Sequence, residues 1–401
     1  MKSPDAKLTR RSILSSVWNS LATAGVGAVA ANLGVRPARA ESSNGRAVVC
    51  IYLFGGNDAN NMVIPLSQYA AYQAARGGLA IAQSELLPVQ AAATQEQYAF
   101  HPAMPEMPAL FQSGTLAVVA NAGGVEGAPS IDPSLRYLRP GYVLPGWAVD
   151  SVRLPEPQVA DGTPPPLPIY TGFPNLRSDN RSATRNLTNS LAMLAPGVVL
   201  SGADRNRLMQ ESATAAATLR TGFPDTALGA QLSQVAGLLK AGPQFGMRNQ
   251  AFLCGFGRFA TGANQLAPHA ALLNELSSAM AAFYRATDEM GRAQSVTTYT
   301  DSEYGRTLQP NPQSGTDPAW GSHHLVMGGS VLGGNVYGRF PVLTPGGPDD
   351  LNGRGVFRPA ISKDQYAATI ASWFGLEYPE LVHALPGITR HTQPALGFLA
   401  G

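Results

Sequence analysis

The chain has 401 residues, 44% of them hydrophobic and only 13% charged, with 43 glycines and 32 prolines. This balance supports a sizeable core joined by tight loops and excludes a charged, disordered chain. The formal charge of +2 is uneven: residues 1–40 hold Lys2, Lys7, Arg10, Arg11, Arg36 and Arg39 against Asp5, a local +5, so the remainder carries −3 and has no electrostatic footprint for nucleic acid.

Residues 1–40 predict an export signal. Thr9-Arg10-Arg11-Ser12-Ile13-Leu14 sets a twin arginine ahead of a weakly apolar run, 17–35, and Ala38-Arg39-Ala40 supplies small residues at a cleavage point. Asn19, Ser20 and the interrupting glycines make a poor amphipathic helix. The run is too rich in small residues to span a bilayer, and no later segment reaches the ~18 apolar residues a span needs. The expected organisation is a twin-arginine signal peptide at 1–40, leading to the periplasm or medium, and a single domain at 41–401.

Within that domain, 47–54 is a near-continuous β-rich run, the pattern of a strand buried on both faces. Gly55-Gly56-Asn57-Asp58 ends it, and 66–76 forms the next helix. A second helix is expected over 101–113, stopped by Gly114, and a second buried strand over 116–120. Further strands are expected at 168–171, 251–255, 296–300 and 325–328. Helices are expected at 203–219, 226–240 and 268–290, the last with Leu272, Leu276, Met280 and Phe283 at helical spacing. A C-terminal helix over 363–374 ends at Gly375. Strand–helix alternation predicts an α/β fold with a mostly parallel sheet covered by helices on both faces. The Pro- and Gly-rich stretches 161–168 and 341–358 read as surface loops. Cys50 and Cys254 lie in apolar runs and read first as buried free thiols; a disulfide between them stays open in an oxidising compartment.

Three groups of residues carry candidate chemistry. Asp58 follows the first strand and either projects from the carboxyl end of the sheet as a ligand for a cation, or turns back on its own backbone. Asp301, Ser302, Glu303 and Arg306 close a later strand, where carboxylates bind metal or cap the following turn. Asp317 precedes His323 and His324, which alternate across a strand, so at most one faces the same site. His101, His269, His383 and His391 stand alone and read as packing or surface residues. There is no Gly-x-Ser-x-Gly elbow, Cys-x-x-Cys pair, Walker loop or dinucleotide fingerprint.

Together these pieces resemble the bacterial, twin-arginine-exported domain-of-unknown-function family numbered fifteen hundred and one, within the alkaline phosphatase and sulfatase superfamily. The matching stretches are the Arg10-Arg11 leader, Phe54-Gly-Gly-Asn-Asp58, Thr115-Leu-Ala-Val-Val-Ala-Asn121, Asp301-Ser-Glu-Tyr-Gly-Arg-Thr307, Gly315-Thr-Asp317, Trp320-Gly-Ser-His-His324, Gly346-Gly-Pro-Asp-Asp350 and Asp364-Gln-Tyr366 with Trp373-Phe-Gly375. The resemblance implies a three-layer α/β/α sandwich, with one or two metal ions that activate a hydroxyl nucleophile and hold a phosphate or sulfate. Carried over by position, Asp58, Glu303, Asp317 and His323 match metal-site residues. The departures are pointed. Relatives show Phe-Asp-Thr-His before the long helix, where this chain has Phe259-Ala-Thr-Gly262. Relatives continue Thr-Asp with His, where Pro318 stands here. Relatives also carry a Ser-His pair after the second strand; here that pair is missing, and Ser130, Ser134 and Ser151 are the only Ser or Thr hydroxyls in 129–151.

The expectation is therefore an exported protein with an alkaline-phosphatase-like fold and a degenerate metal site. It would act as a binding or accessory protein for an envelope protein or a small anionic ligand, without catalysis. The alternative is a metal-dependent hydrolase of a phosphate or sulfate ester. That reading needs one divalent metal on Asp58, Glu303, Asp317 and His323, with Ser134 as nucleophile and Arg306 on the anion.

Overall fold

A computed structural model describes residues 45–123, 152–153, 170–171, 202–247, 249–302 and 304–400. The leader at 1–40, the 161–168 loop, the 129–151 segment with Ser134, and Glu303 lie outside the described residues.

The first strand, β1 (Ala47–Leu53), is buried at every position. Its apolar run is continuous because both faces are covered. Val49, Ile51 and Leu53 enter one core, and Val48, Cys50 and Tyr52 enter another on the opposite face. A short helix, α1 (Ala59–Met62), leads to β2 (Val63–Pro65) and then to α2 (Tyr69–Arg76), entered through a 3-10 turn. β3 (Leu87–Gln90) and β4 (Gln97–Phe100) join β2 in a small antiparallel sheet. The helix expected from residue 101 starts late, as α3 (Met107–Gln112). Pro102 and Pro105 lack the amide hydrogens a helix interior requires, so 101–104 closes as a turn, Met104 N donating to His101 O at 2.9 Å.

β5 (Leu116–Gly123) is wholly buried and longer than its apolar run. β6 (Val152–Arg153) and β7 (Tyr170–Thr171) follow, then α4 (Gly202–Ala217) and α5 (Ala227–Ala241). Thr226 caps α5 by accepting from Gly229 N at 3.1 Å. Next come β8 (Gln250–Phe256), α6 (Leu266–Glu289) and β9 (Val296–Ser302). On α6, Leu273, Leu276, Met280 and Phe283 are buried against the β1 core, while Leu272 is only partly covered.

The small hairpin β10 (Gly305–Arg306) and β11 (Pro318–Ala319) precedes β12 (Ser322–Gly328), β13 (Val336–Gly338) and β14 (Ile361–Ser362). α7 (Lys363–Phe374) carries a Ser362/Gln365 capping box and stops at Gly375, whose φ of 124° suits glycine. α8 (Tyr378–Ala384) closes the set.

The central sheet runs β13-β5-β12-β9-β1-β8-β7-β6, with β14 also on β5. β1 pairs in parallel with both β8 and β9, and the sheet is mostly parallel. β12 is antiparallel to both β5 and β9, and the edge strand β7 is antiparallel to both β8 and β6. For β12 the cause is the connection: among the described residues of 303–321 the regular structure is the β10–β11 hairpin, and without a crossover helix the chain returns in the opposite direction.

One loop expectation changes, and the first reading of the cysteines holds. The 341–358 stretch buries Leu343, Val356 and Phe357, so it is anchored and not a free surface loop. Cys50 pairs with Leu253, and Cys254 with Ile51, so the thiols point to opposite faces of the sheet and remain unlinked. Among the described residues, no helix is long and apolar enough to cross a membrane.

Candidate functional site

β1 ends in Gly55 and Gly56, with φ of +103° and +80°, a turn closed to larger residues. A Cβ at Gly56 would fall 2.1 Å from the Tyr304 ring, and one at Gly55 would fall 2.4 Å from Ala260 N. The turn delivers Asn57 and Asp58 to the carboxyl end of the sheet. Ser302, the last residue of β9, locks it: its hydroxyl donates to Leu53 O at 2.8 Å and accepts from Asn57 N at 3.0 Å.

Asp58 neither turns back on its own backbone nor projects into open space. It makes no capping bond. One carboxylate oxygen, Oδ2, accepts from the guanidinium of Arg76 and the amide of Gln265, and both Asp58 and Arg76 are fully buried. Gln265 is oriented for this: its Oε1 accepts from the hydroxyls of Thr261 and Thr316, which leaves Nε2 as the donor. Burial by itself would push the Asp58 carboxyl up. The Arg76 charge, with His269 and the two hydrogen bonds, outweighs that and holds it below its ordinary value.

Histidines gather round this carboxylate. His269, on α6, meets Asn57 Oδ1 through Nε2 at 3.0 Å, and its ring centroid lies 6.3 Å from that of His101. Burial holds His101 and His269 at about 4 and His323 at about 3, against the opposing pull of Asp58. All three are therefore neutral at pH 7. His323 Nδ1 accepts from Asn121 N at 2.9 Å, which places its proton on Nε2. Its ring packs 4.2 Å from Phe340. Neither nitrogen then offers a lone pair. His324 faces the other side, stacked 5.2 Å from Tyr366.

The remaining candidates are engaged elsewhere. Asp317 is half exposed; it accepts from Arg354 at 2.7 Å and Asn311 at 3.1 Å. Arg306 is buried and donates to backbone carbonyls of Gly55, Gly56, Phe259 and Thr316, so its guanidinium is a strut between loops. Asp301 is bound by Lys363, whose ammonium also donates to Ser302 O. Among the described residues, no three His, Cys, Asp or Glu side chains converge to hold a metal ion. Asp58, Asp317 and His323 are thus not brought together as one group, and Glu303 lies outside the described residues.

Sequence reading missed Arg76, Gln265, His269, His101 and Lys363. Arg76 reads as an ordinary basic residue in the last turn of a helix. The one available signal is Lys363, which starts a helix where the macrodipole disfavours a cation. His391, also read as isolated, meets Ser362 Oγ at 3.1 Å; the side chain of His383 lies outside the described residues.

The family model described as protein of unknown function (DUF1501) matches residues 200–387. That span holds Gln265, His269, Asp301, Arg306, Asp317, His323 and Lys363. No curated protein and no solved structure matches the chain.

Proposed function

We propose that this chain is an exported protein with an alkaline-phosphatase- and sulfatase-like fold whose metal site is degenerate. On this reading it acts as a binding or accessory protein in the cell envelope, for an envelope protein or a small anionic ligand. The single observation that carries the proposal is the state of Asp58. The carboxylate that matches a metal ligand in the family is fully buried against Arg76 and Gln265. A mostly parallel sheet with polar residues at its strand carboxyl ends is in keeping with the fold. The Ala260 and Gly262 replacements and the engaged states of Asp317 and His323 are in keeping with the lost site. The hydrolase alternative requires Arg306 to abandon four carbonyls before it reaches an anion, which weighs against it.

The test is elemental analysis of the mature protein purified after native export, followed by turnover of aryl phosphate and aryl sulfate esters across zinc, manganese, calcium and magnesium. The expected result is substoichiometric metal and no turnover. Stoichiometric zinc, manganese or calcium that disappears in Asp58→Ala overturns the proposal, as does metal-dependent turnover.

A further inference from the structure

Two buried carboxylates close neighbouring strands. Asp58 follows β1 and Asp301 lies one residue from the end of β9, where it pairs in register with Tyr52. Exposure is 0% for Asp58 and 1% for Asp301. They occupy opposite faces of the sheet: Asp301, two residues from Tyr299 on β9, shares its face, the α7 face, and Asp58 lies with Gln265 and His269 on the α6 face.

A buried carboxylate needs a compensating charge, because its desolvation cost is several kcal/mol even after relaxation. Among the described residues, Asp58 meets Arg76 and Asp301 meets Lys363, each cation on its own face. Arg76, the last residue of α2, reaches Asp58 and also donates to Leu308 O at 3.0 Å. Lys363, the first residue of α7, reaches Asp301 and Ser302 O with 5% of its side chain exposed. The helix dipole opposes a cation at that first position, so Asp301 and the Ser302 carbonyl, and not the helix, hold Lys363 there.

We infer that Arg76 and Lys363 are resident cations: they occupy the places that divalent ions would take beside Asp58 and Asp301, and they close both strand ends to metal. The inference rests on the degenerate-site reading and deepens it by saying what replaced the ions. Each pair is neutral as it stands. A divalent ion brought beside either would add two uncompensated positive charges in a low-dielectric interior, next to a fixed cation. The two pairs also tie α2 and α7 to the sheet, so the site's charged groups become part of the framework.

The test is a double-mutant cycle on the mature protein, read by urea denaturation in chelator and again in millimolar zinc or manganese. The variants are Asp58→Asn, Arg76→Met and their combination, with Asp301→Asn, Lys363→Met and their combination as the second cycle. Each single variant is expected to lose at least ~100-fold in the folding equilibrium constant, since it strands one buried charge or dipole. Each double variant is expected to recover most of that loss, because a neutral pair of similar volume is tolerated. Zinc and manganese are expected to leave the wild-type curve unchanged. Additive losses overturn the inference, as does a Met variant of wild-type stability. If the single variants fail to fold while the doubles fold, the inference stands; if the doubles also fail, it falls. Stabilisation of the wild type by zinc or manganese that Asp58→Asn abolishes would instead overturn the degenerate-site proposal, a separate outcome from non-additivity.

Discussion

Arg306 gives the sharpest prediction about the described residues. Its guanidinium, 4% exposed, donates to Gly56 O at 2.9 Å, Thr316 O at 2.8 Å, Phe259 O at 3.1 Å and Gly55 O. These carbonyls belong to three loops that meet at the carboxyl end of the sheet. A hydrogen bond to a charged group contributes about 1.5–3 kcal/mol net. Four such bonds would sum to about 6–12 kcal/mol; water entering the vacated space would rehydrate the carbonyls, so Arg306→Ala is expected to cost less than that sum, about 4–6 kcal/mol. Arg306→Lys keeps the charge but presents a compact ammonium that cannot reach carbonyls spread round a planar fork; its expected cost is about 2–4 kcal/mol. The assay is urea denaturation followed by far-ultraviolet circular dichroism and tryptophan fluorescence. If Arg306→Ala keeps the wild-type midpoint and loses a phosphate- or sulfate-dependent stabilisation seen in the wild type, Arg306 faces a ligand and the reasoning is refuted.

Acid should weaken the fold through the buried histidines before the carboxylates titrate. His101, His269 and His323 sit at about 4, 4 and 3 in the folded state because burial disfavours their charged forms, against about 6.5 when unfolded. Their folded values are depressed, so the stability they contribute is full above pH ~6.5 and drains as pH falls toward the folded values, by about 3 kcal/mol for His269 alone. Urea midpoints between pH 7 and 4.5 should fall steeply, and less steeply in His269→Gln; parallel slopes would contradict this. Asp350 accepts the backbone amides of Gly346, Asn352, Gly355 and Val356, at 2.8, 3.1, 2.8 and 3.1 Å. Burial raises its carboxyl, but these donors outweigh burial and lower it. Asp350→Ala should cost about 2–3 kcal/mol and make 341–358 the first site of limited proteolysis. The same support should persist at pH 5 and disappear only as pH drops below the ordinary carboxylate range. Cys50 and Cys254 should both remain titratable as free thiols after mild oxidation and unfolding; recovery of neither would show a bridge that the register forbids.

How much was legible depended on how local the cause was. The β1 run and the α6 stripe are written in neighbouring residues, and the elements form within a few positions of where the pattern puts them. The late start of α3 was also local, since Pro102 and Pro105 remove amide hydrogens inside the expected helix. The β2–β4 sheet was harder to see, because its strands are short and its pairing is with residues some 35 positions away. The antiparallel course of β12 depended on the 303–321 connection, where the sequence shows candidate site residues and no strand or helix pattern.

The site divides in the same way. Sequence alone determined that acids and histidines cluster at strand ends, that His323 and His324 must part to opposite faces, and that Gly55-Gly56 makes a turn aimed at the sheet's carboxyl edge. Alternation and glycine geometry suffice for these, and both act over one or two residues. Only the tertiary structure decided what the acids meet. Arg76 is 18 residues from Asp58, Gln265 is 207, and Lys363 is 62 from Asp301. A charge buried beside its partner carries no local signature, because the partner is chosen by which helix packs on which face of the sheet.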